Sequence, residues 1–507
     1  MKKIFTLSEN ANLNYVATIC KIAELFPIEK SDHLMRTVVN GFDIVVSNDT
    51  KVGDIVVYFP VESTICNGFL GKNNLFDINN YQLNDNAAEV DKILNSAELD
   101  KLTAKTEAKN ICGFFTDKGR VKTITLRECP SQGFITPVKS LCNWKNELNN
   151  IDDWEPFVGT VFDTVNGELL VKKYIPIIKD NTHVSTGKNK NAKRDKKLKR
   201  FDRLYEDQFA FHYDTNLLNN NMHKFSPEDT VTITRKIHGT STSFANVLCR
   251  RKLTLFEKIK KFLGFKVNDL EYGNIFSSRS VIKNRYINPT CRSYYSVDVW
   301  GWANEVIKSY LDNGMTIYGE IFGYLPGSNK LIQPYHDYGC NPSPQHPRHT
   351  LIMPYRITMT DKYGNRNEWS VLDVYNWTVR LITNHPELRD KIQPIEILYR
   401  GKFMDLYPDI DVSQHWHENV LARMKVDVEH FGMEQEDPTC TKFLISGKGK
   451  KAKYFQAPYE GIVIRRDEDD IENISRAFKL KTQKHYNMER DLHDNNVEDI
   501  EEQESMA

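Results

Sequence analysis

No apolar run in the sequence approaches the roughly 20 residues that a membrane-crossing helix needs. The first residues, MKKIFTLSENANLN, have a basic tip but an apolar part of only four residues, which is too short for a signal peptide. We therefore expect no membrane partner. The chain has 507 residues, which is too long for one compact core, so two or three domains are expected.

Paired cysteines are also absent. The nine cysteines are scattered, and no two of them form a C-x-x-C pair. An odd, scattered set argues against a disulfide framework and predicts reduced thiols in a cytoplasmic compartment, which a protein of viral or phage origin would share.

The chain lacks net charge, but its charges are segregated. Residues 188–200, KNKNAKRDKKLKR, carry eight basic residues and one acid, whereas residues 491–504 carry seven acids and no lysine or arginine. The basic stretch is either a solvated linker or a contact for a polyanionic partner.

Turn signals and alternating apolar residues predict the domain organisation. Short strands are expected in residues 14–62, 119–138 and 159–171, with a polar, helix-favouring insert at about 80–110. This pattern predicts an all-β, OB-like barrel with an inserted helical hairpin in residues 1–171. A basic linker at 172–205, an α+β domain at 206–490 and an acidic tail at 491–507 complete the prediction.

One amphipathic helix is predicted within residues 250–266. Leu255, Ile259, Phe262 and Leu263 share one face, and lysines lie opposite. Packing of the apolar face on the domain is the favoured interpretation, and contact of the lysines with RNA phosphates is the alternative.

The segment VTITRKIHGTSTSF, residues 231–244, presents Lys236 at the end of a strand pattern, just before His238 and Gly239. A lysine amine has an ordinary pKa near 10.4, and neighbouring cations or desolvation can lower it and free the lone pair. An amine that attacks a nucleotide α-phosphate forms a phosphoramidate. Such chemistry needs cations around the phosphates and carboxylates that hold a divalent metal.

Carboxylates and cations of this kind follow at the ends of later strand patterns. Glu320 ends MTIYGE and Glu460 begins the strand of YEGIVIRR, while Lys479 and Lys481 share one face of RAFKLKTQK. Arg279 follows two serines in IFSSRS and offers a phosphate or ribose contact. Each residue alone is a weak indication, because strand-end carboxylates and K-x-K pairs are usually solvated. Their joint occurrence favours a nucleotide site.

These residues resemble motifs of the covalent nucleotidyltransferases, the superfamily of ATP-dependent polynucleotide ligases and mRNA capping enzymes. Lys236-x-His238-Gly239, Tyr318-Gly319-Glu320, Glu460-Gly461-Ile462-Val463 and Lys479-x-Lys481 resemble motifs I, III, IV and V. Together with the N-terminal segment and with SQGFITPV, HDYGC and PYRITMT, they are most similar to ATP-dependent RNA ligases with an N-terminal OB domain. The resemblance covers most of residues 14–485 and implies an OB-like barrel followed by an α+β nucleotidyltransferase domain with an ATP-grasp-like adenylation fold.

The resemblance implies a role for each matching position. Lys236 would carry AMP, Lys479 and Lys481 would bind the α-phosphate, and Glu320 and Glu460 would organise Mg²⁺ or Mn²⁺ and the ribose. The full set implied to bind ATP is Arg235, Ile237, His238, Gly239, Arg279, Glu320, Tyr355, Glu460, Lys479 and Lys481, with Tyr355 expected to stack on adenine. The implied contacts with the RNA backbone are Lys193, Arg194, Lys196 and Lys197.

Two residues depart from the family pattern. His238 stands where many members have aspartate, so metal organisation is expected to depend more on the two glutamates. Arg235 stands where glutamate is common, and we expect its charge to lower the pKa of Lys236.

The predicted function is an ATP-dependent RNA ligase, acting as a monomer on RNA, that seals 3′-hydroxyl and 5′-phosphate ends at nicks. A DNA ligase or a capping enzyme is an alternative, although the 26 residues after Lys481 are expected to be too few for the OB domain that follows motif V in those enzymes. A non-catalytic RNA-binding protein is a second alternative. A zinc site of His336, Cys340, His346 and His349 is a third, although the short paired spacings typical of such sites are absent.

Overall fold

The computed structural model describes residues 4–29, 31–96, 100–175, 203–284, 297–446, 452–466 and 477–494. The chain forms two compact units. The first contains the described residues up to 175 together with 216–224 and 486–491, and the second contains the others. Within the described part, every helix is too short or too polar to cross a membrane.

Short strands and four helices make up the first unit. The strands are β1 (Phe5–Thr6), β2 (Ala17–Lys21), β3 (Phe26–Pro27), β4 (Leu34–Val39), β5 (Phe42–Ser47), β6 (Ile55–Phe59), β7 (Ser63–Ile65), β8 (Ile124–Leu126), β9 (Cys129–Ser131), β10 (Phe134–Pro137), β11 (Val161–Phe162), β12 (Thr164–Val165), β13 (Glu168–Leu169), β14 (Val171–Lys173) and β15 (Asn216–Leu217). The helices are α1 (Asn67–Lys72), α2 (Ala87–Leu94), α3 (Lys101–Asn110) and α4 (Lys139–Trp144).

Antiparallel pairing organises the first unit into three sheets and two strand pairs. The sheets have the orders β10-β6-β2-β11, β3-β4-β5 and β1-β12-β13, and the pairs are β14-β7 and β8-β9. Inward-facing residues such as Ile19, Val57 and Phe69 form its larger apolar core. Helices α2 and α3 lie in the segment predicted as a helical insert. Closure of the strands into an OB-like barrel stays a prediction.

The second unit combines longer strands with helices, so the chain has mixed α/β content with several sheets. The strands are β16 (Thr230–Lys236), β17 (Thr240–Arg250), β18 (Leu270–Ser277), β19 (Met315–Gly323), β20 (Thr350–Thr360), β21 (Arg366–Glu368), β22 (Ile397–Lys402), β23 (Phe443–Ser446), β24 (Lys453–Phe455), β25 (Gly461–Arg466) and β26 (Ala477–Lys481). The helices are α5 (Leu255–Phe262), α6 (Val299–Ile307), α7 (Val371–Asn384), α8 (Phe403–Leu406), α9 (Trp416–Val426) and α10 (Gln483–Asp494), the last of which begins in this unit.

Two antiparallel sheets of the second unit bring the predicted site residues together near the end of β16. Glu320 and Lys479 lie within β19 and β26, not at the strand ends expected from the sequence. In one sheet, with the order β26-β25-β16-β22, Lys236 pairs with Gly461, which pairs in turn with Lys481. In the other, with the order β18-β17-β19-β20-β21, Ser241 lies opposite Glu320. Because only residues 237–239 separate β16 from β17, the ends of both sheets meet around Lys236.

The predicted amphipathic helix is present as α5, but its apolar face is not buried. Leu255 is 77% exposed, Ile259 49% and Phe262 90%. The expectation that this face packs on the domain is therefore wrong. The helix lies in the connection between β17 and β18. On its polar face, Glu257 forms an ion pair of 2.6 Å with Arg251, which precedes the helix in the same connection.

Candidate active site

The second unit contains a pocket of about 980 Å³, counting the space that opens to solvent, with Lys236 in its wall. Beside Lys236, six of the ten residues predicted to bind ATP line it: Arg235, Ile237, Arg279, Glu320, Tyr355 and Lys479. The remaining four, His238, Gly239, Glu460 and Lys481, do not line it. Glu460 contacts Lys236, Lys481 and His238 lie near Glu460, and Gly239 contacts Glu320.

Strand β16 places Lys236 at the edge of a buried core. Val231 and Ile233 are fully buried, and the strand ends at Lys236, whose side chain is 26% exposed. The next strand over begins at Gly461, which has φ +146°. A Cβ atom at this position would lie 2.0 Å from the carbonyl oxygen of Leu480, so only glycine allows β25 and β26 to pair beside Lys236.

Glu460 is the carboxylate on which the cations of the site converge. Its Oε1 atom lies 2.7 Å from Lys236 Nζ, 3.9 Å from Lys481 Nζ and 3.7 Å from His485 Nε2. Burial alone would raise the pKa of Glu460, but Lys236, the two nearby histidines and Lys481 hold it well below its usual value. The carboxylate is therefore ionised although it is almost inaccessible to solvent.

The predicted effect of Arg235 on Lys236 is wrong. The Arg235 guanidinium contacts Asp437 and lies 3.1 Å from Glu396, so its charge is already neutralised. Burial lowers the pKa of Lys236, but the carboxylates of Glu460 and Glu320 outweigh it, and the pKa is raised above its ordinary value. The Lys236 amine accordingly carries its proton in this structure.

A second group of charges lies in the pocket around Asp214. Its Oδ1 atom is 2.8 Å from Arg279 Nη2 and 3.0 Å from Lys479 Nζ. The pKa of Lys479 is lowered to about 8, chiefly by burial. The nearby charges of Lys481 and Lys236 also lower this pKa, whereas the charge of Asp214 raises it. Asp214 was missed in the sequence because it lies in an irregular segment, in no strand or helix pattern.

Aromatic side chains form another part of the pocket. Tyr355 contacts His212 edge-to-face at 5.2 Å between ring centroids, and its hydroxyl lies 3.4 Å from Ser241 Oγ. The Arg356 guanidinium lies 4.7 Å from the Tyr213 ring centroid. Burial, together with nearby arginines, lowers the pKa of His212 to about 3, so this imidazole is neutral.

Gly239 and Glu320 contact each other directly. The Gly239 amide donates to Glu320 Oε1 at 3.0 Å. A Cβ atom at Gly239 would lie 2.4 Å from the Ile321 carbonyl oxygen and 2.9 Å from Glu320 Cγ. The glycine is therefore required by the close approach of the chain to Glu320.

The residues present fit a divalent metal. One ligand atom each from His238, Glu460 and His485 lies within 4.8 Å of the others. Glu460 Oε2 is buried and, within the described ranges, has no hydrogen-bond partner. The carboxylate donor suits Mg²⁺ and Mn²⁺, and imidazole donors suit first-row transition metals such as Zn²⁺ and Fe²⁺. His485, in the first turn of α10, was not predicted, because nothing in the local sequence indicates that this helix reaches Lys236.

The alternative zinc site does not form. Among the described residues, no group of possible metal ligands includes His336, Cys340, His346 or His349. Both ring nitrogens of His349 lie within 3.0 Å of backbone carbonyl oxygens, and His336 Nδ1 lies 2.8 Å from that of Pro334.

The predicted RNA-backbone contacts Lys193, Arg194, Lys196 and Lys197 lie outside the described residues.

No protein-family model matches the chain. A search of curated proteins likewise found no match. Similar solved structures include a Naegleria gruberi RNA ligase mutant with AMP and Mn, at 16% identity and a TM-score of 0.48, covering 93% of this chain and 98% of that chain. Another mutant of the same ligase with ATP and Mn is 15% identical with a TM-score of 0.47, covering 96% and 100%. The form with PPi is 16% identical with a TM-score of 0.47, covering 94% and 98%.

Proposed function

We propose that the chain is an ATP-dependent RNA ligase of the covalent nucleotidyltransferase superfamily and that Lys236 forms a lysyl-AMP intermediate. The observation that carries this proposal is the contact of Lys236 Nζ with Glu460 Oε1 at 2.7 Å, beside a pocket that also contains Lys479 and Arg279. A partly exposed lysine paired with a buried carboxylate, next to further cations, suits attack on a phosphate better than it suits a purely structural role.

In the first step, the Lys236 amine attacks the α-phosphorus of ATP, the N–P bond forms, and the bond to the leaving pyrophosphate breaks. The amine must first lose its proton, and its raised pKa would fall when a nucleotide and a cation occupy the site and weaken its ion pair with Glu460. Lys479 and Arg279 would bind the phosphate oxygens, and Tyr355 would stack on the adenine. Positioning and electrostatics supply most of the catalysis in such an in-line displacement.

When bound, a divalent cation, Mg²⁺ or Mn²⁺, would neutralise part of the phosphate charge. Glu460 would hold it together with His238 and His485, whose ligand atoms are within 4.8 Å of one another. Glu320, which orients the chain at Gly239, would complete the carboxylate set around the nucleotide.

In the later steps, AMP would pass from Lys236 to the 5′-phosphate of an RNA end, and a 3′-hydroxyl would then attack that phosphate, displacing AMP and closing the phosphodiester. We propose nicked duplexes as substrates for a monomeric enzyme. The first unit, as an OB-like domain, and the basic residues between 188 and 200 would grip the nucleic-acid backbone.

Incubation with α-labelled ATP and a divalent metal tests the first step. The wild-type chain should acquire an acid-labile, base-stable label, and Lys236→Ala and Lys236→Arg should acquire none. Lys402→Ala is the matched control, because Lys402 ends the neighbouring strand β22 and pairs with Glu228 away from the pocket. An unlabelled wild-type chain that still binds RNA would contradict the proposal and favour a non-catalytic RNA-binding protein. Sealing of nicks with ribose or deoxyribose at the 3′ end tests the substrate.

A further inference from the structure

The connection between β17 and β18 carries a group of exposed apolar side chains. Its members are Leu255, Phe256, Ile259, Phe262, Leu263 and Phe265, all of which are exposed. Scattered exposed apolar residues are ordinary, but six within eleven positions form a patch of the kind that binds a partner.

Interactions within the connection hold these apolar side chains toward the solvent. Thr254 and Glu257 form a capping box at the start of α5, and Gly264, at φ +83°, ends it with the Phe265 amide donating to the Lys260 carbonyl oxygen at 3.0 Å. The helix therefore begins and ends within the connection itself.

Two ion pairs attach the opposite face to the rest of the connection. Glu257 contacts Arg251 at 2.6 Å, and Lys261 contacts Asp269 at 2.5 Å. Because Glu257 and Lys261 lie opposite the apolar residues on the helix, these pairs hold the apolar face away from the chain that carries it.

Lysines border the apolar face on both sides. At 100° per residue, Lys258 and Lys260 lie at the two edges of the arc that contains Leu255, Ile259 and Phe262. Lys260 Nζ also lies 4.7 Å from the Phe256 ring centroid. Aromatic and aliphatic residues on one face, with lysines at its edges, are typical of helices that lie in the interface of an anionic membrane.

We propose that α5 is a membrane-surface helix that binds anionic lipid headgroups through Lys258 and Lys260 and inserts Phe256, Ile259 and Phe262 between them. A nucleic acid would use the lysines but leave the apolar residues exposed to water. An anionic lipid surface is complementary to both features, because it offers phosphates next to an apolar layer. Binding at the surface requires no spanning helix, and it revises the expectation that the protein has no membrane partner.

Co-sedimentation of the full-length chain with lipid vesicles tests the proposal. Vesicles of phosphatidylcholine with about 30% phosphatidylserine should bind the wild-type chain, and pure phosphatidylcholine vesicles should bind it far less. Phe262→Glu should lower binding about tenfold or more, and Lys258→Gln should lower it about fivefold. Leu102→Glu is the matched control, since Leu102 is a similarly exposed helical leucine in the first unit, and it should bind as the wild type does.

Three outcomes would overturn the proposal. One is the absence of wild-type binding to anionic vesicles, and another is unchanged binding by Phe262→Glu, which would assign the contact to other basic residues. In the third, the wild-type chain forms a concentration-dependent oligomer and does not bind vesicles, and Phe262→Glu is monomeric. This result would assign the face to contacts between copies of the chain. Label transfer from ATP to Lys236 should be equal in all these variants and verifies that each one is folded.

Discussion

At the residue scale, the site depends on carboxylates that are each shared by several cations. Glu460 contacts Lys236 and lies near Lys481, and Asp214 contacts both Lys479 and Arg279. Each carboxylate fixes the geometry of its cations in the absence of nucleotide. Preorganised charge of this kind needs little rearrangement when a phosphate enters.

Glu460→Gln removes the charge of the central carboxylate and keeps its shape. The variant leaves Lys236 and Lys481 as neighbouring cations without a counter-charge and removes the carboxylate of the proposed metal site. We expect the rate of lysyl-AMP formation to fall about 100-fold or more. Single-turnover labelling with ATP measures this rate. Glu396→Gln, at a carboxylate that pairs with Arg235 outside the pocket wall, should retain most of the activity, and an equal loss there would contradict the assignment.

His212 predicts a pH dependence of stability. Its pKa is lowered to about 3 in the folded protein by burial and by nearby arginines, while the unfolded chain titrates near 6.5. The unfolded state therefore binds more protons below pH 6.5, and stability falls as the pH falls through this window. Between pH 7 and pH 5 the loss should be about 2 kcal/mol.

Urea unfolding at both pH values measures the effect of His212. His212→Gln should show a smaller difference between pH 7 and pH 5, because glutamine does not titrate. An identical difference in the variant and the wild type would contradict a buried, neutral His212.

At the element scale, the position of Lys236 depends on the pairing of β16, β25 and β26. Lys236, Gly461 and Lys481 occupy one row across these strands. The two sheets of the second unit then meet where residues 237–239 join β16 to β17. Strand pairing therefore builds the site more than any loop does.

Gly461→Ala tests this dependence. The added methyl group would meet the Leu480 carbonyl oxygen, so β25 and β26 must separate at the row that holds Lys481. We expect the free energy of unfolding to fall by about 2–4 kcal/mol and adenylylation to be lost with it. Chemical denaturation measures the first effect. Gly401→Ala in β22 is the control, because its added methyl would meet mainly the tip of the Tyr399 side chain, and an equal loss there would argue against the mechanism.

At the scale of the whole molecule, charge is distributed unevenly along a chain without net charge. The basic stretch 188–200 follows the first unit in sequence, and the pocket lies in the second. We expect the two regions to serve separate steps, RNA binding and nucleotide chemistry.

Replacing Lys193, Arg194, Lys196 and Lys197 with glutamine should weaken RNA binding and flatten its salt dependence by about three to four units of log slope. Formation of lysyl-AMP should be unchanged. Filter binding across a salt series measures the first effect and ATP labelling the second. A parallel loss of labelling would show that the stretch acts on the pocket instead.

The extent to which the sequence predicted the structure differs among these features. Lys236 was found because the alternating pattern places it at the end of β16, whereas Glu320 and Lys479, which were expected at strand ends, lie within β19 and β26. Asp214 and His485 were missed because their partners are distant in sequence and their own segments carry no pattern. Arg235 was misjudged because neighbouring residues of a strand point to opposite faces, so adjacency in sequence is not proximity of charge. The apolar face of α5 was expected to be buried because amphipathicity does not reveal whether the partner belongs to the same chain.

The ion pairs of Asp214 have a consequence for turnover. A nucleotide phosphate that binds between Lys479 and Arg279 must compete with the Asp214 carboxylate for these cations. The carboxylate pairs with them again when the ligand dissociates. In the proposed reaction, the internal carboxylate would weaken the ground-state affinity for nucleotide and favour product release. An Asp214→Asn variant would bind adenylate more tightly and release it more slowly.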